Sequence, residues 1–182
     1  GLFTSTAYTR SVLKIPFLRP KVDAVIKRLG FNPQDHSGKA LINVLEDYPR
    51  DELFQVDVNT LVANAESILA LGERPRVRAL PRIDPFGRFV SVLVYVPRDR
   101  YDSIVREKIS QYLMRVYDGQ SIDFQPSFPE GTLTRVHFIV RRDEGTVPAV
   151  ARETLEAEIR AIVRTWEDAV QEAAESFSGL VV

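Results

Sequence analysis

The chain has 182 residues, 45% of them hydrophobic and 27% charged, which is enough to bury a real core in one or two ordinary domains. Its 24 basic and 25 acidic residues leave a net charge of -1, so nothing electrostatic favours duplex nucleic acid or an anionic membrane as the main partner. The absence of cysteine excludes disulfides, thiolate catalysis and sulfur-ligated metals, and makes a reducing cytoplasm the expected location.

The opening stretch "GLFTSTAY" has neither an initiator Met nor a basic segment, so it does not read as a signal peptide. It is expected to end a strand whose partners lie upstream, which would make the chain a piece of something longer. Leu18, Val22, Val25, Ile26 and Leu29 then recur at spacings of three or four, with Pro20 near the start and Gly30 at the stop. They predict a helix over roughly 19–29. Leu41, Val44, Leu45 and Tyr48 predict a second helix, ending at Pro49. Leu61, Ala65, Ile68 and Leu69 predict a third, capped by Asp57. The connections "FNPQDHSG" and "YPRDELFQVD" carry prolines and Asx residues and are expected to be turns. At "LGERP" the hydrophobic period changes from 3.6 to 2, dividing a helical segment, 1–73, from an α+β domain, 74–182.

From Arg76 the pattern is that of strands. "RVRALPRI" places Val77, Ala79 and Ile83 on one face and Arg76, Arg78 and Arg82 on the other, and Pro81 sends it to a sheet edge. "DPFG" predicts a type I hairpin turn at Asp84 to Gly87. The run that follows, Arg88 to Val96, is apolar on both faces and must be central and covered twice. Val90, Val92, Val94 and Val96 lie on one side, with Phe89, Leu93 and Tyr95 on the other. A helix is expected next, capped by Asp99 and carrying Ile104, Val105, Ile109, Tyr112, Leu113 and Val116. Strands "SIDFQ" and "TLTRVHFIVRR" follow, and then a helix from about Val147 to Phe177. The order strand, strand, helix, strand, strand, helix fits a ferredoxin-like sandwich whose edge strand comes first. The two central strands, 88–96 and 133–142, are expected to run parallel. The face bearing Phe89, Leu93 and Tyr95 beside Arg135, His137 and Ile139 is expected to be an interface.

The chemistry-bearing motifs are few. No two of the nine glycines lie closer than eight residues, so no dinucleotide or phosphate loop exists in the chain. "SGKA" lacks the Walker spacing, and Lys39 reads as an exposed residue in the first turn of a helix. The only two histidines, His36 and His137, have no partner carboxylate at helical spacing and imply neither a metal site nor a serine triad. "FGRFVSV" has the aromatic character of an RNA-reading strand, but Arg88 interrupts it, and RNA binding stays a third alternative. "VPRDR" leaves a binding reading open: Arg98, Asp99 and Arg100, in a strand-to-helix loop, form a candidate site for a small anionic effector such as an amino acid.

"GLFTSTAY", "GKALINVLEDYPRDELFQ", "ERPRVR", "DPFGRFVSVLVYVPRDRY" and "RVHFIVR", in this order along almost the whole chain, resemble the large bacterial NAD-dependent glutamate dehydrogenases. The resemblance implies a place in the long N-terminal regulatory portion of that family, which contains ACT-like modules of ferredoxin-like fold, with the Rossmann-type catalytic domain further along. It implies an oxidoreductase for the parent chain, with NAD as the parent's cofactor and no catalytic or cofactor-binding residue in this segment. The implied partners are other domains and subunits of the same dehydrogenase and an amino-acid effector; nucleic acid and membrane are not implied.

Overall fold

The structure, a computed structural model, describes residues 5–180 and divides into two compact units, the first ending at Arg74 and the second beginning at Pro75. The first unit is helical: α1 (Thr6–Thr9), a 3-10 turn (Val12–Lys14), α2 (Arg19–Leu29), α3 (His36–Asp47), α4 (Arg50–Gln55) and α5 (Val58–Glu73). Helices α2, α3 and α5 pack on one another through Val22, Val25, Leu41, Leu45, Leu61 and Ala65, all fully buried. Gly30, in the left-handed region, ends α2, and the Asp57 carboxylate accepts the Thr60 N–H at the start of α5.

Two expectations for this unit fail. Residues Thr6–Thr9 form a helical turn rather than the end of a strand, and residues 1–4 of that stretch lie outside the described residues. "YPRDELFQVD" is not merely a turn, for it contains α4. Pro49 sits just before that helix and Asp51 and Glu52 occupy its first turn, where their charges suit the helix dipole. Lys21 completes it: its ammonium donates to the carbonyls of Leu53, Phe54 and Val56 at 2.8, 3.2 and 2.8 Å, which satisfies the end of α4. In "SGKA", Gly38 serves packing. A Cβ there would lie 1.8 Å from the Asn32 carbonyl oxygen.

The second unit is a four-stranded antiparallel sheet with two helices on one face. Its elements are β1 (Arg78–Ile83), β2 (Phe89–Pro97), α6 (Ser103–Val116), β3 (Ser121–Ser127), β4 (Leu133–Arg141) and α7 (Arg152–Ser178), and the strand order is β1-β2-β4-β3. This is the ferredoxin-like, ACT-like α+β arrangement, with its edge strand supplied first. The central strands β2 and β4 pair antiparallel, not parallel as expected. The short connection between β3 and β4 forces those two to be antiparallel. The crossover through α6 therefore joins β2 to the parallel but non-adjacent β3, and β4 inserts between them.

Strand β2 is buried from Val90 to Val96. Its valines face α6 and α7, where they meet Val105, Ile109 and Leu113 from one helix and Leu155, Ile159 and Val163 from the other. Each such side chain removed from water contributes roughly 1.5–3 kcal/mol. The "DPFG" turn forms as read, with the Gly87 N–H donating to the Asp84 carbonyl at 2.9 Å and Gly87 at φ 70°. The Asp84 carboxylate accepts from both the backbone N–H and the Nε of Arg88 at 3.1 Å, and that guanidinium holds its carboxyl below the usual range. Arg142 ties neighbouring loops together by donating to the carbonyls of Tyr117, Gly87, Gly145 and Thr146.

The arginine face of β1 is not the solvated one the alternation predicts. Arg78 is buried, and its Nη1 donates to Glu156 of α7 at 3.3 and 3.4 Å. The same carboxylate accepts the Ala79 N–H at 3.2 Å, and the Nε of Arg152 stands 3.5 Å from it. A C-terminal helix thus holds the edge strand. Helix α7 starts at Arg152, later than the periodicity suggests, because 147–151 belongs to no regular element, with Val147 and Val150 packed against the core. Replacing Glu156 by Ala leaves a buried guanidinium unpaired and is expected to cost about 3 kcal/mol in urea unfolding. Arg78→Leu combined with Glu156→Leu is expected to cost less than that single change; a double variant that costs as much or more would show that the unpaired guanidinium is not the source of the loss.

Candidate functional site

The end of β2 and the start of β4 lie side by side, because the register pairs Pro97 of β2 with Leu133 of β4. This brings the 98–100 loop against the β3–β4 connection. A recess of about 570 Å3 opens there, lined by Pro97, Arg98, Asp99 and Arg100 on one side and Gly131, Thr132 and Leu133 on the other, with Pro75 at its edge. All three residues of the "PRDR" candidate therefore share one surface feature.

Their roles differ from the sequence reading. Asp99 does not cap α6, since Arg98–Arg100 form a 3-10 turn of their own. Asp102 is the cap: in an extended conformation, its carboxylate accepts the N–H groups of Ile104 at 2.9 Å and Val105 at 2.8 Å. Both aspartates precede the apolar stripe, and spacing alone could not choose between them. Arg98 spends its guanidinium on the opposing loop, donating to the carbonyls of Pro129 at 2.5 Å and Leu133 at 3.1 Å, with its charge 5.5 Å from the Phe128 ring centre. Its backbone N–H donates to Thr132 at 2.8 Å. Arg100 pairs with Glu167 of α7 at 3.0 Å, half exposed on both sides. Asp99 is exposed. An anion entering the recess would have to compete for both guanidiniums, whereas a cationic group would meet the Asp99 carboxylate. The partners Pro129, Leu133 and Glu167 have no local signal in the sequence; register and helix packing bring them to the loop.

The six residues read as an interface lie in one patch on the sheet face opposite α6 and α7. Leu93, Tyr95 and His137 are buried in the chain, and Phe89, Arg135 and Ile139 are half-buried. The register aligns Leu80, Leu93 and His137 in one row across three strands, and Tyr95 with Arg135 in the next. Ser91 also lies in this patch, its hydroxyl 2.7 Å from the His137 Nε2, with both groups buried.

The most exposed part of the sheet is β3, on the edge opposite β1. Five of its seven residues are exposed, and among the described residues no strand pairs with its outer side. Phe124 on β3 and Phe128 just after it are exposed aromatics, 43% and 60% accessible, and the Arg106 guanidinium stacks 4.0 Å from the Phe124 ring centre. Alternating polarity did not mark this edge, because "SIDFQPS" is polar at most positions whichever face is buried. Among the described residues, no group of three potential metal ligands occurs, and no helix is long and apolar enough to cross a membrane.

Sequence models of two families match, in series. "Glutamate dehydrogenase, helical motif 1" covers residues 15–74, and "Glutamate dehydrogenase, ACT2 domain" covers residues 78–167. Three similar curated proteins are each named NAD-specific glutamate dehydrogenase. That of Pseudomonas aeruginosa PAO1 is 42% identical over 182 residues, all of this chain and 11% of the relative. That of Halomonas elongata is 39% identical over 168 residues, 92% of this chain and 10% of the relative. That of Mycobacterium tuberculosis H37Rv is 31% identical over 186 residues, 96% of this chain and 11% of the relative. The chain spans about a tenth of the length of these relatives. Replacing Arg98 by Ala removes the tie between the two loops and is expected to cost about 1 kcal/mol. It should also speed hydrogen exchange at 129–133 without affecting β2; unchanged exchange there would show that another contact sets the loop.

Proposed function

The chain belongs to the family of NAD-specific glutamate dehydrogenases, and from that premise we propose that it is a non-catalytic regulatory and assembly segment of such an enzyme. The parent would oxidise L-glutamate to 2-oxoglutarate and ammonium, passing hydride to NAD in the cytoplasm, with the chemistry on residues outside this segment. The ACT2 match over the ferredoxin-like sheet supports the regulatory reading. The observation that carries the assembly reading is the exposed β3 edge, where unpaired backbone groups lie beside two exposed phenylalanines. A strand edge of this kind is a template to which another segment can add. The partners would be other domains and subunits of the same dehydrogenase.

A second reading, favoured by the recess at Arg98, Asp99 and Arg100, is that this loop receives an amino-acid effector, with its ammonium on Asp99. Because both arginines already have partners, the assembly reading is preferred.

One set of measurements separates the two. The 182-residue chain alone is expected to form no NADH from glutamate and NAD. The parent enzyme carrying Phe124→Asp and Phe128→Asp is expected to keep its glutamate oxidation while changing its mass by light scattering or its rate response to amino acids. A segment active by itself, or a doubly substituted parent unchanged in both respects, would overturn the assembly reading. Calorimetric titration of the parent with amino acids and 2-oxo acids, repeated with Asp99→Ala, tests the effector reading; heats unaffected by the substitution would exclude the recess.

A further inference from the structure

Helix α6 holds one arginine without a counter-charge beside the exposed edge of the sheet. Arg106 is half-buried, its Nε is buried with no hydrogen-bond partner, and among the described residues it forms no ion pair. Its guanidinium stacks instead 4.0 Å from the ring centre of Phe124, a side chain 43% accessible. A guanidinium that meets only a ring keeps its donors unspent. The acids near it on α6 are engaged elsewhere: Asp102 accepts the Ile104 and Val105 N–H groups, and Glu107 accepts from Gln111.

The backbone of β3 is open at the same place. The Arg142 N–H donates to the Arg88 carbonyl and Phe89 lies opposite Arg141, so even-numbered residues of β4 bond to β2 and odd-numbered ones to β3. Ser121 lies opposite Arg141, so the odd-numbered residues of β3 bond inward, while Ile122, Phe124 and Pro126 turn their backbone groups outward. The edge thus offers the N–H groups of Ile122 and Phe124 and the carbonyls of all three. Phe124 lies opposite Phe138 of the core, which puts its ring and Arg106 on the side of the sheet that α6 and α7 cover. An added strand would set one residue opposite Phe124 on that same side, about 5 Å away and within reach of the guanidinium.

These features choose between occupants. In a second copy paired through β3, only even-numbered residues bond outward, so Ile122, Phe124 and Pro126 would meet the same three residues. That pairing brings a second Arg106 and no carboxylate from the facing strand, because Asp123 lies on the other side, 2.6 Å from Arg141. Centred on Phe124, it also sets each Pro126, which has no N–H, against an Ile122 carbonyl. A strand with an acid on the helix side has neither defect. This segment is 11% and 10% of two relatives, so most of such an enzyme is left to supply that strand.

We propose that the β3 edge takes up an extended strand from a part of the parent dehydrogenase outside these 182 residues, and that an Asp or Glu of that strand, opposite Phe124, pairs with Arg106. This rests on reading β3 as an assembly surface and supplies the chemistry of its partner. The outward backbone groups of Ile122 and Phe124 hold the strand, and Arg106 selects it by charge.

The test uses the full parent enzyme carrying Arg106→Lys, which keeps the charge and adds an amine that a carbodiimide couples to a touching carboxylate. Peptide mapping by mass spectrometry is expected to show an amide between position 106 and an Asp or Glu outside the segment. Coupling only to Asp102 or Glu107, coupling to a second copy of the segment, or no coupling would overturn the proposal. Hydrogen exchange resolved to single residues is the second readout. In the unsubstituted parent the Ile122 and Phe124 amides are expected to be protected. Arg106→Glu should speed their exchange about tenfold, as expected from losing one charged hydrogen bond, while the Asp123 and Gln125 amides stay slow. Exchange at Ile122 and Phe124 that ignores the charge reversal would also overturn the proposal. If coupling fails while Phe124→Asp with Phe128→Asp still alters assembly or amino-acid response, this strand falls and the assembly reading stands. If the Ile122 and Phe124 amides are unprotected and that double substitution is silent, both fall.

Discussion

The α+β unit depends on a carboxylate buried beneath an edge strand. Glu156 takes the charge of Arg78 and the backbone N–H of Ala79, and so fastens the first strand to the last helix. Chain order makes such a tie necessary. The outer strand β1 is delivered before the core exists, it touches only β2 within the sheet, and Pro81 removes one of its donors. The tie agrees with the register of α7, in which Leu155, Ile159 and Val163 pack against the central valines.

Strand β2 links the two ends of the unit. At its start, the Asp84 to Gly87 turn packs so closely that a Cβ on Gly87 would lie 2.0 Å from the Gly145 carbonyl oxygen, and Arg142 holds the same loops from the side. At its finish, Arg98 holds the β3–β4 connection through two carbonyls and a stacked ring. Between them, both faces of the strand are buried, so movement at one end cannot be absorbed locally. The strand thus runs from one braced loop to another. Fold alone does not assign a role to that arrangement.

Much of the fold was legible because its signals are local. The three-four spacing marked α2, α3, α5 and α6, "DPFG" marked the hairpin, and the two-faced apolar run marked the central strand. The failures have a common cause: the competing choices were equal locally and were decided by distant contacts. α4 has too few residues to show a period, and Lys21, more than thirty positions away, completes it. Asp99 and Asp102 are both good caps, and the 3-10 turn at Arg98–Arg100 leaves Asp102 at the start of α6. The direction of β4 relative to β2 follows from the β3–β4 connection, and alternation along a strand carries no direction. The loop at Arg98, Asp99 and Arg100 could be singled out from residue types. That two of its charges are committed to Leu133 and Glu167 could not.

Together these features describe a module with a buried central strand and an exposed β3 edge. In the proposed role, this segment serves assembly and control while chemistry happens elsewhere in the parent chain. A structure of the whole enzyme with NAD and glutamate bound tests it most directly. No side chain of this segment is expected to touch the nicotinamide or the substrate, and β3 is expected to be covered by another domain or subunit. A residue of the segment in contact with either ligand, or a β3 edge left bare in the assembled enzyme, would contradict it.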